Sequence, residues 1–363
     1  RRLGRAATDA FLKVMGNTIH ARIANTSNGV AARLNGADFA LLLPGEKAGY
    51  ALAVKLLQDV VAAAAPFVEG AAAGWIGVCS FSAGVDVSGI LSQVDLALAS
   101  AEAGGQDGVR EAQADAADEM PRTADQWSAM ITRALEHEWV RLISFPVVHA
   151  QGALSHRECP LRLMFDEKGE WLPAGRFLPV AERLKLTPAL DLVAVGLGLR
   201  ELKAHPDLPG LAINLSASSL EDASFQPRLL ALIAANKDLA HRLWLEMAEG
   251  GALKHLEAFK VLCRALNEAG CRTGLEHFGH QFSQIGQLHD LGLDYLKVDA
   301  SFIRGIESNV GNATFLKGLC GIAHNMGFLV IAEGVTSVSE MDSLWRLGFD
   351  GATGPGVHEV PTR

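Results

Sequence analysis

Basic charge is scarce in this chain of 363 residues: 32 lysines and arginines stand against 41 aspartates and glutamates, for a formal net charge of -9. That balance supplies no broad cationic face and excludes non-specific binding to duplex nucleic acid. A small anion held by a few local cations and backbone amides remains compatible with it. Cysteine is sparse too. The five (Cys79, Cys159, Cys263, Cys271, Cys320) are odd in number and have no CxxC or zinc-like spacing, which reads as reduced, buried, cytosolic thiols rather than a disulfide framework. The histidines show no HExxH-type spacing, so no zinc site is assigned. No apolar run reaches the roughly 20 residues needed to span a bilayer, and Arg1 begins no signal peptide, so a soluble chain is expected. It opens on a helical pattern with no leading strand, and a further N-terminal part is therefore expected ahead of Arg1.

What is present points to two globular domains. Hydrophobic residues make up 49% and charged residues 20%, enough to bury a large core, and the length suits a barrel of roughly 230 to 250 residues plus a smaller unit. Apolar residues at near-helical spacing predict a helix over Thr8–Ile23. Val30 to Leu43 reads as a hairpin turning at Asn35-Gly36. A helix from Lys47 to Ala64, a strand from Gly74 to Ser82 and a helix from Ile90 to Ala103 complete a small α+β unit ending near Gly108. Residues 111–126 are polar, Ala- and Asp-rich and interrupted by Pro121, and are read as a linker. Beyond it, short strands (Leu142–Val148, Leu211–Leu215, Leu243–Met247, Arg272–Leu275, Tyr295–Val298, Leu329–Ala332) alternate with helical stretches. Such alternation favours a mostly parallel α/β barrel.

Several spaced motifs carry a resemblance over the second unit, residues 127–363. Glu158-Cys159-Pro160-Leu161-Arg162, Phe177 to Glu182, Asn214, Leu245-Glu246-Met247-Ala248-Glu249, Glu276-His277-Phe278-Gly279, Lys297-Val298-Asp299 and Ala332-Glu333-Gly334-Val335 occur in one order. Together they resemble the EAL domain of cyclic-di-GMP phosphodiesterases, which implies a (β/α)₈ TIM-like barrel with its chemistry at the strand ends. The tip Arg33-Leu34-Asn35-Gly36-Ala37-Asp38-Phe39 resembles the Arg-x-Gly-Gly-Asp-Glu-Phe loop of GGDEF diguanylate cyclases. Residues 1–110 are accordingly identified as a degenerate, N-terminally truncated GGDEF-like domain. Asn35 replaces a glycine, Ala37 the first carboxylate and Asp38 the second, while Thr26-Ser27-Asn28-Gly29 stands where the family has its inhibitory Arg-x-x-Asp. Cyclase activity is not expected.

Phosphodiester cleavage of this kind uses two divalent ions and hard oxygen ligands. The resemblance assigns Glu158, Asn214, Glu246, Glu276 and Glu333 as relic ligands of magnesium or manganese. Lys297 would orient water or stabilise charge, with a structural ion pair to Asp299 or Glu333 as the alternative. Where the family has Asp-Asp this chain has Glu276-His277, so a hard anion is expected to become a neutral imidazole, more simply a hydrogen-bonded loop histidine than a metal ligand. Phe145-Pro146-Val147 and Thr353-Gly354 replace motifs that carry glutamine. These departures lead to the expectation of a non-catalytic receptor, not an enzyme, most like LapD-type proteins of cyclic-di-GMP signalling. Arg162, Asn214, Glu246, Phe278, Gly279, Lys297, Asp299 and Glu333 would hold the dinucleotide at the barrel mouth. A weak metal-dependent phosphodiesterase producing pGpG, and a protein-interaction scaffold, are the alternatives. The resemblance further implies the cytoplasmic portion of an inner-membrane protein. A homodimer through the EAL domain stays open, and the protein partner is unassigned.

Overall fold

The computed structural model describes residues 5–23, 29–35, 38–45, 48–68, 73–82, 87–102, 108–112, 123–150, 152–167 and 169–359. It divides into two compact units, Arg1–Ala129 and Met130–Arg363.

The first unit contains α1 (Arg5–Ile23), β1 (Val30–Asn35), β2 (Asp38–Leu42), α2 (Gly49–Val68), β3 (Trp75–Val78), α3 (Val87–Glu102) and β4 (Gly108–Glu111). β1 and β2 form the expected antiparallel hairpin, with Asn35 opposite Asp38. Its tip, Gly36-Ala37, lies outside the described residues, as do Thr26, Ser27 and Asn28. β4 runs parallel to β3 and carries the unit past Gly108. Leu56, Val60 and Ala64, spaced i, i+4 on α2, are buried against Ile19 and Ile23 of α1. The stretch Gly49–Phe67 is long and apolar enough, at a mean hydropathy of 1.3, to cross a membrane, which corrects the expectation that no segment reaches that length. Here it packs along one face, with Leu56, Val60 and Ala64 in the core and Asp59 in an ion pair with Arg22.

α4 (Ala124–Glu136) opens inside the stretch read as a linker, whose residues 113–122 lie outside the described set. Its start has a local cause. The Gln126 amide donates to Thr123 Oγ1 and the Thr123 amide to Gln126 Oε1, each at 3.2 Å, a reciprocal cap of the Thr-x-x-Gln type.

The rest of the second unit runs β5 (Val140–Leu142), β6 (Phe145–His149), β7 (Leu154–Glu158), β8 (Leu161–Leu163), β9 (Leu172–Pro173), α5 (Ala174–Arg183), α6 (Thr187–Ala204), β10 (Leu211–Asn214), α7 (Phe225–Ala234) and β11 (Leu243–Ala248). It continues with α8 (Glu249–Lys254), α9 (Leu256–Glu268), β12 (Arg272–Phe278), β13 (Tyr295–Val298), α10 (Ala300–Ile303), α11 (Val310–Asn325), β14 (Leu329–Ala332), α12 (Val338–Leu347) and β15 (Gly351–Ala352). Eight strands close a barrel in the order β10-β11-β12-β13-β14-β15-β6-β7. All neighbours are parallel except β6, which is antiparallel to both β7 and β15. The single strand expected over Leu142–Val148 is therefore two strands in two sheets: β5 joins β8 and β9, and β6 joins the barrel. At the crossing, the Ile143 amide donates to the Pro160 carbonyl. A run of apolar residues shows that backbone is extended, not which neighbour it pairs with.

Bulky rings fill the barrel interior. Trp244 and Tyr295 pack with Val147, Ala212 and Ile331, and His156 stacks on Trp244 with ring centroids 3.9 Å apart. Gly274 makes room for this layer, because a Cβ there would lie 2.3 Å from the Tyr295 ring. With the interior closed by rings, polar side chains collect at the strand ends.

Candidate active site

Three strand-end carboxyl groups converge on one ammonium group. Lys297 on β13 is fully buried, and its Nζ lies 2.9 Å from Glu246 Oε1, 3.2 Å from Glu158 Oε1 and 3.3 Å from Glu333 Oε1. Of the two expected partners it meets Glu333; among the described residues it makes no ion pair with Asp299. The other oxygen of Glu246 accepts from the Tyr295 hydroxyl at 3.0 Å. Burial pushes the Glu246 carboxyl up to about 8, against the pull of Lys297, while the surrounding glutamates hold Lys297 firmly protonated.

Asn214 and Glu246 are register partners on β10 and β11. The Asn214 Nδ2 donates to Glu276 Oε2, leaving Asn214 Oδ1 buried without a partner. Such an orphaned acceptor loses hydration unless a donor or a cation meets it.

His277 adopts the left-handed conformation, at φ 53°, unusual for a residue with a Cβ. The turn aims its ring back at the carboxylates. Nδ1 lies 3.0 Å from Glu333 Oε2 and 3.4 Å from Asp299 Oδ2, and the His277 amide also donates to Glu333 Oε2. Hydrogen bonds to Asp299 and Glu333 raise its pKa to about 11, and the same contact holds Asp299 well below the usual carboxylate range. The two flanking carboxylates thus favour the protonated ring over the neutral imidazole expected from the sequence. Asp299 also caps α10 by accepting from the Ser301 amide.

Ligand-atom geometry sorts the site into two groups able to hold a cation, Glu158 with Glu246 and Glu276, and His277 with Asp299 and Glu333, the donor atoms of each lying within 4.8 Å of one another. Five carboxyl groups gather about the cations Lys297 and His277, and burial without a matching number of cations favours protons on Glu246 and Glu276. That set of oxygen donors, with the unpartnered Asn214 oxygen, fits hard divalent ions, which would displace those protons.

The remaining expected residues lie at the margin. Arg162 sits on β8 of the three-stranded sheet, half-buried and without a hydrogen bond or ion pair among the described residues. Phe278 is fully buried and offers a ligand only its backbone. Gly279, at φ 126°, passes so near Phe302 that a Cβ would lie 2.8 Å from its ring. Glu249, the last residue of the Leu245 to Glu249 motif, has a role that the motif does not imply. Its carboxylate accepts from the amides of Gly279, His280 and Gln281 at 3.4, 3.0 and 3.1 Å and so pins the loop that follows His277. The sequence signal for it was weak: an acid opening a helix directly after a strand.

The EAL domain family model matches residues 128–359, and the diguanylate cyclase, GGDEF domain, model matches residues 1–108. Cyclic di-GMP phosphodiesterase PdeF of Escherichia coli (strain K12) is 30% identical over 223 residues, 61% of this chain and 30% of PdeF. The chain thus spans about a third of that relative's length. Vibrio cholerae LapD S helix-GGDEF-EAL, bound to c-di-GMP, superposes with a TM-score of 0.80 at 21% identity, covering 94% of this chain and 82% of that one; this likeness establishes the fold. The FimX EAL domain from Pseudomonas aeruginosa bound to c-di-GMP is 28% identical, with a TM-score of 0.57, covering 63% and 93%. The tandem GGDEF and EAL arrangement and the TIM-like barrel expected from the motifs are therefore present. The expectation that the chain is no enzyme is corrected, because the EAL model matches and several relatives are named cyclic di-GMP phosphodiesterases.

Proposed function

The chain belongs to the EAL domain family, and from that premise we propose that it binds cyclic-di-GMP at the barrel mouth and hydrolyses a phosphodiester of it with divalent metal. Residues 127–363 carry the site, and residues 1–110, GGDEF-like, precede it, with the linker confined to the stretch between β4 and the cap at Thr123. The observation that carries the reading is the pair of ligand groups around Lys297, together with the unpartnered oxygen of Asn214.

Glu158, Asn214, Glu246 and Glu276 would hold one magnesium or manganese ion, and His277, Asp299 and Glu333 would hold the second once His277 gives up its proton. The ions supply Lewis-acid activation of water and charge neutralisation on the phosphate. The chain's own groups do the rest. Lys297 is a fixed cation beneath the phosphate, already desolvated, so it strengthens charge stabilisation without reorganising. Arg162, whose guanidinium has no partner among the described residues, would take a phosphate oxygen pair. Glu249 keeps the 279–281 amides in one arrangement at the rim.

Calorimetry with cyclic-di-GMP in calcium or EDTA, followed by chromatography for linear pGpG in manganese, tests the proposal. Binding plus product is expected. Arg162→Ala should weaken binding while leaving the fold intact, and Asn214→Ala should raise the manganese concentration needed for product. Failure of wild-type protein to form any product in manganese would overturn the hydrolytic reading, and failure to bind at millimolar dinucleotide would overturn it entirely.

A further inference from the structure

Phe145 is 46% exposed, yet it stands at the mouth of the barrel rather than on its outer surface. It opens β6, and its register partner on β7 is Glu158. Residues directly opposite in an antiparallel pair point to the same face, and the Glu158 carboxylate points inward, reaching Lys297 at 3.2 Å. The period-2 rule agrees. Val147, two residues on, is buried in the interior layer with Trp244 and Tyr295. The Phe145 ring thus forms the top of an inward-facing column, half covered from below and open above, beside the carboxylate groups.

A hydrophobic ring left open in this way loses free energy to water, and it makes no ring contact among the described residues. A flat, polarisable group covers such a face well, and a nucleobase of a ligand whose phosphate lies over the Lys297 cluster supplies one. We propose that Phe145 is a base-stacking platform that sets the preference of this site for purine over pyrimidine cyclic dinucleotides. The inference rests on the reading that the mouth binds a cyclic dinucleotide and adds which part of the ligand is read and by which side chain. Stacking of one base on an aromatic ring contributes about 1 to 3 kcal/mol, which corresponds to roughly 5- to 150-fold in affinity.

The test measures dissociation constants for cyclic-di-GMP and cyclic-di-UMP by calorimetry in EDTA, on the whole chain, for the wild type, Phe145→Ala, Phe145→Leu and Phe145→Trp. The expected result is a loss of tenfold or more for cyclic-di-GMP in Phe145→Ala, a similar loss in Phe145→Leu, and retention in Phe145→Trp with quenching of the new indole fluorescence. The ratio of the two dissociation constants should move toward one in the alanine and leucine variants. Because the ring is nearly half exposed, melting temperatures should stay close to wild type, and a variant that does not fold is replaced by the leucine variant for the comparison. Wild-type binding with an unchanged affinity and base ratio in Phe145→Ala and Phe145→Leu overturns the inference while leaving the binding site standing. Equal loss for both dinucleotides, with the ratio unchanged, overturns it too, since that pattern belongs to a ring that shapes the rim. Absence of any wild-type binding overturns both.

Discussion

Replacing Lys297 by methionine keeps the length and volume of the side chain and removes only the charge. At separations of 2.9 to 3.3 Å and an effective dielectric of 20, each of its three pairs is worth about 5 to 6 kcal/mol of gross attraction. Most of that is offset by the desolvation of the ions, and loss of one partner from a buried set typically destabilises by about 3 to 5 kcal/mol. The carboxylates limit the loss by taking up protons, as Glu246, already pushed up to about 8 by burial, shows. With the ammonium gone, the Glu246 carboxyl in the folded state rises further above its unfolded value. A raised carboxyl favours folding below its unfolded pKa and disfavours it as pH climbs through the folded one. The deficit of Lys297→Met should therefore widen with pH, from about 1 to 2 kcal/mol near pH 6 to about 3 to 5 kcal/mol near pH 8.5. Urea unfolding in EDTA, followed by fluorescence of the buried Trp244, measures it. Millimolar manganese should restore much of the loss, since a divalent cation replaces the missing charge. A deficit below about 1 kcal/mol at pH 8.5, or one that shrinks as pH rises, would refute the claim that Lys297 is the electrostatic centre of the site.

Glu249→Ala leaves the amides of Gly279, His280 and Gln281 without their acceptor; hydrogen exchange at His280 and Gln281 should accelerate by at least tenfold, with weaker dinucleotide binding, and unchanged exchange would show that something else holds the loop. Asp191 of α6 is fully buried, and desolvation lifts its carboxyl to about 6 even though the Ser216 amide and the Ser216 and Ser219 hydroxyls donate to it. Its raised pKa means that wild-type stability falls as pH rises through about 6, so Asp191→Asn should gain on the wild type by up to about 3 kcal/mol between pH 4 and pH 7.5; a stability difference flat across that range would refute this assignment.

How far the sequence carries the fold depends on the range of the interaction involved. The strands β10, β11, β12, β13 and β14 were legible because fully buried parallel strands are short apolar runs, and the hairpin β1–β2 because Asn-Gly turns have a local steric cause. The division of Leu142–Val148 between two sheets was not, since strand pairing is decided by partners outside the window. The cap at Thr123 differs: Thr-x-x-Gln is a local signal, masked by the polar character of the stretch around it. At the site, ordered motifs picked out Glu158, Asn214, Glu246, Glu276, Lys297 and Glu333, but residue types alone left His277 neutral.

The chain's own order of residues determined, through local periodicity, a small α+β unit followed by repeated βα units, and the ordered motifs that resemble the EAL family marked which side chains the strand ends would present. Tertiary structure decided how those side chains are charged and paired: His277 becomes a cation only when its left-handed turn brings it between Asp299 and Glu333, and Lys297 meets three glutamates only when strands far apart in sequence close into one barrel. Proton affinity depends on distances of a few ångströms and on exclusion from water, and neither exists until the barrel has closed.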